Sequence, residues 1–472
     1  MKQIFELDLR ALSLARIGLG FILVFDLLVR FAHFDAFYGV SGAVPLSHWL
    51  GNLQFDYHYT FYHWVAADWW PLLLLGINLF LAVLLTFGYK TRIVTPILWC
   101  FTMALQHRNT LILQGADDYL RLLLFWGMFL PWGKFFSVDS LKNENLQITI
   151  SSVGSAAFIL QVVFMYIFGA LMKTSAEWYP NGTALYYALS LDMIKLPLGQ
   201  WLYQHYNLMK VLTWLTLAIE FLAPIFLLLP FCKGKLKMAA IAVLVFFHVG
   251  TALTLYIGWY WAISIVALVA FVPSSIIEKT LKKLKPSSKT EVSLVSTPYK
   301  EHYLASSFLL FCTVASLLWN LQNTRLIKVN VPQAYHGFIY TLRLDQYWGM
   351  FAPAVFKDDG WYIEEATLTS TKGVIDINTG MPATTIKPAY VVRTFADDRW
   401  RKYKENLLFI HLEVHRLPYC HYRLNSWNKA NVERQIEYLR VYYMKEVSLD
   451  EYKTRPLEKV LLCECRKAPY GV

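Results

Sequence analysis

The sequence predicts a multi-pass α-helical membrane protein with a C-terminal α+β domain, on three observations. The 472-residue chain is 56% hydrophobic and only 16% charged, with a mean hydropathy of +0.37, whereas a typical soluble domain is about 25% charged. Apolar segments of bilayer length recur up to residue 321. The remaining residues are more polar and contain alternating patterns. We therefore expect a transmembrane helical domain at 1–321 and an α+β domain at 322–472.

Nine segments are predicted to span the membrane as helices, because a bilayer core requires about 20 apolar residues. Basic residues concentrate in alternate connections, which are expected to face the cytoplasm. A cytoplasmic N-terminus and nine spans then place the C-terminal domain outside the cytoplasm. The predicted spans are 12–31, 71–88, 93–106, 119–133, 152–172, 208–230, 237–255, 259–273 and 303–321.

The net charge of +11 does not indicate a nucleic-acid partner. Many lysines and arginines lie in short connections between apolar segments, such as 89–92, 232–237 and 278–289. Basic residues at such positions set the orientation of a membrane protein. The expected contact is membrane lipid, and no nucleic-acid binding is expected.

Within the C-terminal part, the stretches "GWYIEEATLTS" and "AYVVRTF" alternate as strands do. "TSTKGVIDINTG" places turn residues between β-branched runs. "NVERQIEYLRVYYMKEV" has apolar residues at helical spacing and is predicted to form an amphipathic helix. Cys420, Cys463 and Cys465 are an odd set, so at least one lacks a partner within this part. Their spacing alone does not define a metal site, and no metal is expected.

Ionisable residues inside predicted spans are functional candidates, because burying a charge in lipid is costly. Asp26 and Arg30 are four residues apart and are expected to form a structural ion pair. Glu220 precedes Pro224 by four residues, so its carbonyl loses a helical donor. His248 lies near the middle of its span. It is interpreted either as a hydrogen-bonded core residue or as the partner of Glu220 in a cavity.

The stretch 105–126 collects His107, Asp117, Asp118 and Arg121 around the outer ends of two predicted spans. Solvation at the span ends is one interpretation of these charges. A polar vestibule beside the membrane is the other.

Lys173 follows the fifth apolar segment and precedes Trp178 and a Pro-Asn-Gly turn. An ammonium that reaches water past the helix end is the simpler explanation. The alternative is a desolvated amine that acts as a base, with Trp178 and Tyr179 as an apolar wall. Thr183 is predicted to cap a new helix after the turn.

Four motifs resemble one family. They are "LARIGLGFILVFDLLVR", "HRNTLILQGADDYLRLLLFWGMFLPWGKFFSVD", "FGALMKTSAEWYPNGTAL" and "FFHVGTALTLYIGWY", within residues 8–275. On these motifs the chain resembles the HTTM family of membrane proteins, which are related to vitamin K-dependent γ-glutamyl carboxylase. The stretch "LDQYWGMFAPAVFKDDGWYIEEATL" is similar to the C-terminal domain that many bacterial members carry.

The resemblance implies a chemistry and a site. In the carboxylases, a lysine just beyond an outer helix end deprotonates vitamin K hydroquinone, and oxygen converts the quinol to a base that removes a glutamate γ-proton. Lys173 matches the setting of that lysine, and His248 matches a histidine of the family. The implied cofactor is a reduced quinone. The implied partners are a quinone reductase and a secreted polypeptide, at a bacterial plasma membrane.

One departure speaks against glutamate carboxylation. Carboxylases carry an Asn-Asn-His motif upstream of the "SVD" segment, whereas the comparable position here reads "GADDYLR". His107 lies nearby in a different register.

Two functions therefore stay open. The first is quinol-linked base chemistry by Lys173, in a cavity shaped by Glu220 and His248 with Asp117 and Asp118 at its mouth. The second is a non-catalytic protein that binds, matures or gives immunity to a secreted polypeptide. A neighbouring quinone reductase gene would favour the first, and a gene for a small secreted peptide the second.

Overall fold

A computed structural model describes residues 4–53, 60–142, 148–229, 234–284, 302–329 and 331–467. Parts of two predicted basic connections, 232–237 and 278–289, lie outside these residues.

Each of the nine predicted spans contains a helix. Within the part of the chain that the structure describes, six helices are long and apolar enough to cross a membrane, and the number is seven if a bent pair, Tyr260–Val269 followed by the helix that begins at Ser274, counts as one span. The nine helices are α1 (Leu9–Ala32), α4 (Trp69–Phe87), α5 (Thr91–Arg108), α6 (Gly115–Gly127), α7 (Val153–Leu171), α10 (Tyr206–Leu228), α11 (Lys235–Thr254), α12 (Tyr260–Val269) and α14 (Tyr303–Thr324).

The count of nine is therefore supported only in part. The 13 residues of α6 extend about 20 Å, less than the hydrocarbon core of about 30 Å. The 10 residues of α12 are shorter still. The last turn of α5 contains His107 and Arg108, which lowers its apolar character.

The helices pack around a ring in which α1, α4, α5, α6, α7, α10, α11 and α12 follow one another, and α12 returns to α1. Outside the ring, α14 packs on α7. In α7, 72% of the most apolar stretch is buried, compared with 22% in both α10 and α11. The α10–α11 hairpin is therefore a thin wall whose outer face meets lipid.

Shorter elements join these helices. The strands β1 (Glu6–Asp8) and β2 (Thr149–Ser151) pair antiparallel, with Leu7 opposite Ile150. Asp8 then caps α1 by accepting from the backbone of Arg10 at 2.8 Å. The predicted helix after Thr183 is present, although the Thr183 side chain makes no capping hydrogen bond. The short helices are α2 (Phe34–Phe37), α3 (Leu46–Gly51), α8 (Ala184–Ser190), α9 (Pro197–Tyr203) and α13 (Ser274–Leu284).

The C-terminal part is built on one antiparallel sheet with the strand order β5-β4-β3-β6-β7. Helix α17 packs on β6 and β7, and α16 packs on residues 110–112 of the membrane part. The elements are α15 (Gln333–Thr341), β3 (Asp358–Leu368), β4 (Val374–Asp376), β5 (Met381–Pro382), α16 (Asp398–Leu407), α17 (Arg416–Ala430), β6 (Ile436–Val447) and β7 (Glu458–Arg466).

Two predictions in this domain are wrong. Residues 436–447 form the interior strand β6, between β3 and β7, instead of an amphipathic helix. Tyrosines and β-branched residues there suit a pleated surface, and pairing with both β3 and β7 decides the conformation. "AYVVRTF" forms a short 3-10 helix at Val391–Thr394 instead of a strand, and Val391 and Val392 are both buried there instead of alternating. The predicted strand in "GWYIEEATLTS" is confirmed as β3.

A disulfide joins Cys420 of α17 to Cys465 of β7. Cys463 stays free, so the expected odd cysteine is found.

Candidate functional site

Lys173 lies two residues after α7, and its amine turns back into the bundle. Its Nζ atom lies 2.5 Å from Glu220 Oε2 of α10 and donates to the Gly169 carbonyl at 3.3 Å. The residue is 9% exposed. A snorkelling lysine would extend its ammonium into water. Here the ammonium is neutralised by a carboxylate inside the protein, so the anchoring interpretation does not describe this side chain.

The predicted neighbour Trp178 is in place. The Lys173 ammonium lies 5.0 Å from the centre of the Trp178 ring, and the indole donates to the Phe351 carbonyl at 2.9 Å. Ser175 donates its backbone N–H to Pro353 at 3.1 Å. Residues 348–355 of the C-terminal part are therefore hydrogen-bonded to the loop that follows α7 and contains Lys173. They cover this loop and are called the roof segment below.

Glu220 has a different partner from the one predicted. The sequence suggested a histidine on a neighbouring helix, but Glu220 binds Lys173. His248 of α11 instead lies 2.6 Å from the Tyr166 hydroxyl of α7, measured from its Nε2 atom. Of the two interpretations of His248, the hydrogen-bonded core residue fits the structure, and Glu220 and His248 each have a closer partner on or just beyond α7. Pro224 continues α10 without breaking it.

These two pairs line one small cavity of about 30 Å³, formed by α7, α10, α11, the start of α12 and the roof segment. That volume accommodates about two water molecules. Its wall includes Lys173, Glu220, Tyr166, His248, Tyr260, Trp348 and Met350.

Sequence reasoning missed Tyr166, Tyr260 and Trp348. No local signal marks a tyrosine in an apolar helix as polar lining. Tyr166 is one helical turn before Ala170 and two turns before Lys173, a spacing that places Tyr166 and Lys173 on one face. That spacing was the available signal.

The remaining candidates lie in two ion-pair clusters and do not line this cavity. In the first cluster, Asp117 accepts from Arg30 at 2.6 Å and from Arg399 of α16 at 2.5 Å. Asp26 joins it through both arginines, at 2.7 and 2.5 Å. The predicted Asp26–Arg30 pair is therefore confirmed, and Arg399 extends it into the C-terminal domain.

The second cluster surrounds Arg121 of α6. Its guanidinium pairs with Asp118 at 2.9 Å and donates to the Arg343 and Asp345 carbonyls at 3.0 and 2.8 Å. His107 is buried at the end of α5 on the Asp345 side of this cluster. The charges of 105–126 are mostly neutralised inside the protein, and a role at a substrate mouth stays a prediction.

Among the described residues, no group of three or more metal-ligating side chains is arranged to hold an ion. The polar groups that line the cavity include an amine, a carboxylate, an imidazole and two phenols.

The architecture defines the class first: a polytopic membrane protein that carries a sheet-based domain at one end of its helical bundle. The HTTM domain family matches residues 6–275, more than half of the chain. The chain belongs to the HTTM family, which confirms the resemblance found in the sequence. Neither a curated protein nor a solved structure matches it.

Proposed function

We propose that this HTTM protein is a membrane enzyme whose base, Lys173, removes a proton from a lipid-soluble substrate. The observation that carries the proposal is the 2.5 Å contact of Lys173 with Glu220 in the wall of a cavity that Tyr166 and His248 also line. A lysine that only anchored a helix end would need neither the carboxylate nor the cavity.

The pair supplies a route to a neutral amine. Movement of one proton from Lys173 Nζ to Glu220 Oε2 leaves an amine and a carboxylic acid, and burial favours such neutral forms over separated charges. A neutral amine within reach of an acidic substrate hydrogen acts as a general base. Tyr166 and His248 hold a second exchangeable proton in the same cavity.

The reduced quinone implied by the family is tested against this cavity. The polar groups suit a phenolic substrate, since an amine and an imidazole accept its protons. The volume of about 30 Å³ is too small for such a substrate, because small-molecule sites enclose about 300–1,000 Å³. We therefore propose a quinol only for a form in which Trp348 and Met350 have moved aside.

The proposed setting is a bacterial plasma membrane crossed by all nine helices, with the C-terminal domain outside the cytoplasm. The alternation of basic connections along the sequence supports this orientation. The same orientation gives Lys173 and the roof segment access to a secreted polypeptide, and a quinone reductase would regenerate the reduced co-substrate.

A second candidate is a non-catalytic protein that binds, matures or gives immunity to a secreted polypeptide. The small cavity favours it, since a structural ion pair between α7 and α10 requires no space for a ligand.

The experiment compares Lys173→Arg, Lys173→Ala and Glu220→Gln in purified protein, with oxidation of a short-chain reduced naphthoquinone as the readout. Arginine retains the charge and the pairing but stays protonated. If Lys173 is a base, every variant folds and none oxidises the quinol above the rate without protein. Lys195→Arg is the matched control, because Lys195 is also buried and pairs with Asp192 at 2.6 Å outside the cavity. Wild-type activity in Lys173→Arg, or none in the wild type, would favour the second candidate.

A further inference from the structure

A second cavity lies at the far end of the bundle from the C-terminal sheet. Its volume is about 470 Å³, within the range of small-molecule sites. Tyr206, which begins α10, donates its hydroxyl to Asp450 of the C-terminal domain at 2.6 Å. Leu227 and Leu228, which end α10, line the cavity. About 21 residues separate the two ends, or about 32 Å. The cavity therefore lies at the opposite membrane surface.

Among the described residues that line this cavity, one charge of each sign is left without a close partner. Glu6, Asp8 and Lys237 line it, and Asp8 is neutralised by Arg10 at 2.6 Å. Lys237 lies with its ammonium 5.6 Å from the centre of the Phe271 ring. Among the described residues, no carboxylate comes within 4.0 Å of that ammonium. Glu6 and Lys237 are left as an acceptor and a donor for an external group.

Helix α13 fixes the level of the cavity in the membrane. It bends by 89° from α12, so it runs across the direction of the bundle. Ile277 on one face is buried, whereas Lys279 and Lys283 are exposed. A helix with an apolar face and a basic face lies in the plane of the interface. Ser274 and Ser275, which begin α13, line the cavity, and this places the cavity at headgroup depth.

We infer that this cavity binds a phospholipid with an amine-bearing headgroup. The phosphodiester lies against Lys237 and the two serine hydroxyls, and the headgroup ammonium lies against Glu6. Basic pockets between helices at a membrane surface bind lipid phosphates in this way. Leu227, Leu228 and Phe271 supply an apolar wall for the glycerol and the first acyl carbons.

The balance of charge selects the headgroup. An anionic lipid without an amine leaves the Glu6 carboxylate facing the phosphate with no cation between them. A zwitterionic headgroup satisfies both residues. Free phosphate lacks the acyl chains that the apolar wall accommodates.

The experiment measures thermal unfolding of the full chain in detergent with added phosphatidylethanolamine, with phosphatidylglycerol of identical acyl chains, or with millimolar inorganic phosphate. Phosphatidylethanolamine is expected to raise the midpoint most. Lys237→Met retains the aliphatic stem on Phe271 and is expected to weaken lipid binding about tenfold, the effect of losing one charge-assisted contact. Lys237→Arg is expected to retain the binding. Lys235→Met is the matched control on the same helix, since Lys235 is exposed and outside the lining. Glu6→Gln is expected to remove only the advantage of the ethanolamine headgroup.

Three outcomes would overturn the inference. Equal stabilisation by phosphatidylglycerol would remove the role of Glu6. Equal stabilisation by inorganic phosphate would identify a free-anion site. An unchanged lipid response in Lys237→Met, compared with Lys235→Met, would show that the cavity does not bind the phosphate. The readout is independent of any enzymatic activity.

Discussion

Arg399 Nη2 of the C-terminal domain lies 2.5 Å from Asp26 Oδ1 of the first helix, across 373 positions of sequence. The same guanidinium also binds Asp117. The first helix, the sixth helix and the C-terminal domain therefore share one buried ionic cluster.

Removing Arg399 is expected to leave a buried carboxylate without compensation. Loss of one partner from a buried ion pair costs about 3–5 kcal/mol. Arg399→Ala should therefore lower the thermal midpoint and the folded yield in detergent. Arg393→Ala is the control, because Arg393 is exposed and contacts only the Tyr390 ring among the described interactions. Equal midpoints for the two variants would refute the structural role of the cluster.

Glu364 is expected to make the C-terminal domain sensitive to acid. Burial opposes its ionisation, but Arg423 and Lys404 outweigh burial and lower its pKa from 4.5 to about 2. The stabilisation is present above the unfolded value of 4.5 and is lost as pH falls towards 2. The shift corresponds to on the order of 3 kcal/mol.

Glu364→Gln should abolish that acid-dependent loss and destabilise the protein at pH 7, because Lys404 and Arg423 stay buried without their carboxylate. The control is Glu365→Gln at the next position, because Glu365 forms an ion pair with the partly exposed Lys459. Unfolding followed from pH 7 to pH 3 tests both. A wild-type pH profile in Glu364→Gln would contradict the prediction.

Asp359 is expected to give the stability of the C-terminal domain the opposite pH dependence. Burial, and then the nearby Asp192 carboxylate, raise the pKa of Asp359 from 3.8 to about 7. The folded state therefore binds the proton more tightly. This contribution is fully present below pH 3.8 and is lost as pH rises through about 7.

Asp359→Asn should remove this dependence and stabilise the protein at pH 8, by on the order of 4 kcal/mol at most. The matched control is Asp358→Asn, which changes an exposed carboxylate paired with Lys445. Thermal midpoints at pH 5 and pH 8 give the test. A destabilised Asp359→Asn at pH 8 would show that the ionised carboxylate is needed by the Asp192 and Met193 amides.

The proposed membrane orientation can be tested by labelling an introduced surface cysteine. The native Cys420 of the C-terminal domain is unsuitable for this test, because it is buried and disulfide-bonded. Lys453 is 70% exposed on the C-terminal domain. Lys453→Cys should react with a membrane-impermeant maleimide in intact cells, whereas Lys279→Cys on α13 should react only after lysis. The wild-type chain sets the background labelling. The reverse pattern would invert the proposed orientation.

The sequence predicted best those features that depend on neighbours along the chain. The spans follow from apolar length, and the Asp26–Arg30 pair follows from helical spacing. Lys173 and Glu220 were both nominated, but their contact joins residues 47 positions apart, and helix spacing does not show which faces meet. β6 was missed for the same reason, since its pairing with β3 is non-local and overrides a helical pattern. Arg399 could not be identified from the sequence, because an arginine in a polar helical segment usually lies at the surface.

The ionic cluster also sets an order on biosynthesis. Asp26 and Arg30 neutralise each other within the first helix, so this pair adds no net charge to a helix that also carries Arg10 and Arg16. Asp117 then adds one buried negative charge, and its counterion Arg399 leaves the ribosome only after 282 further residues. At about 5–20 residues per second this delay is about 14–56 s. A chain truncated before Arg399 therefore keeps one uncompensated negative charge in this cluster, a physical mark by which incomplete molecules differ from finished ones.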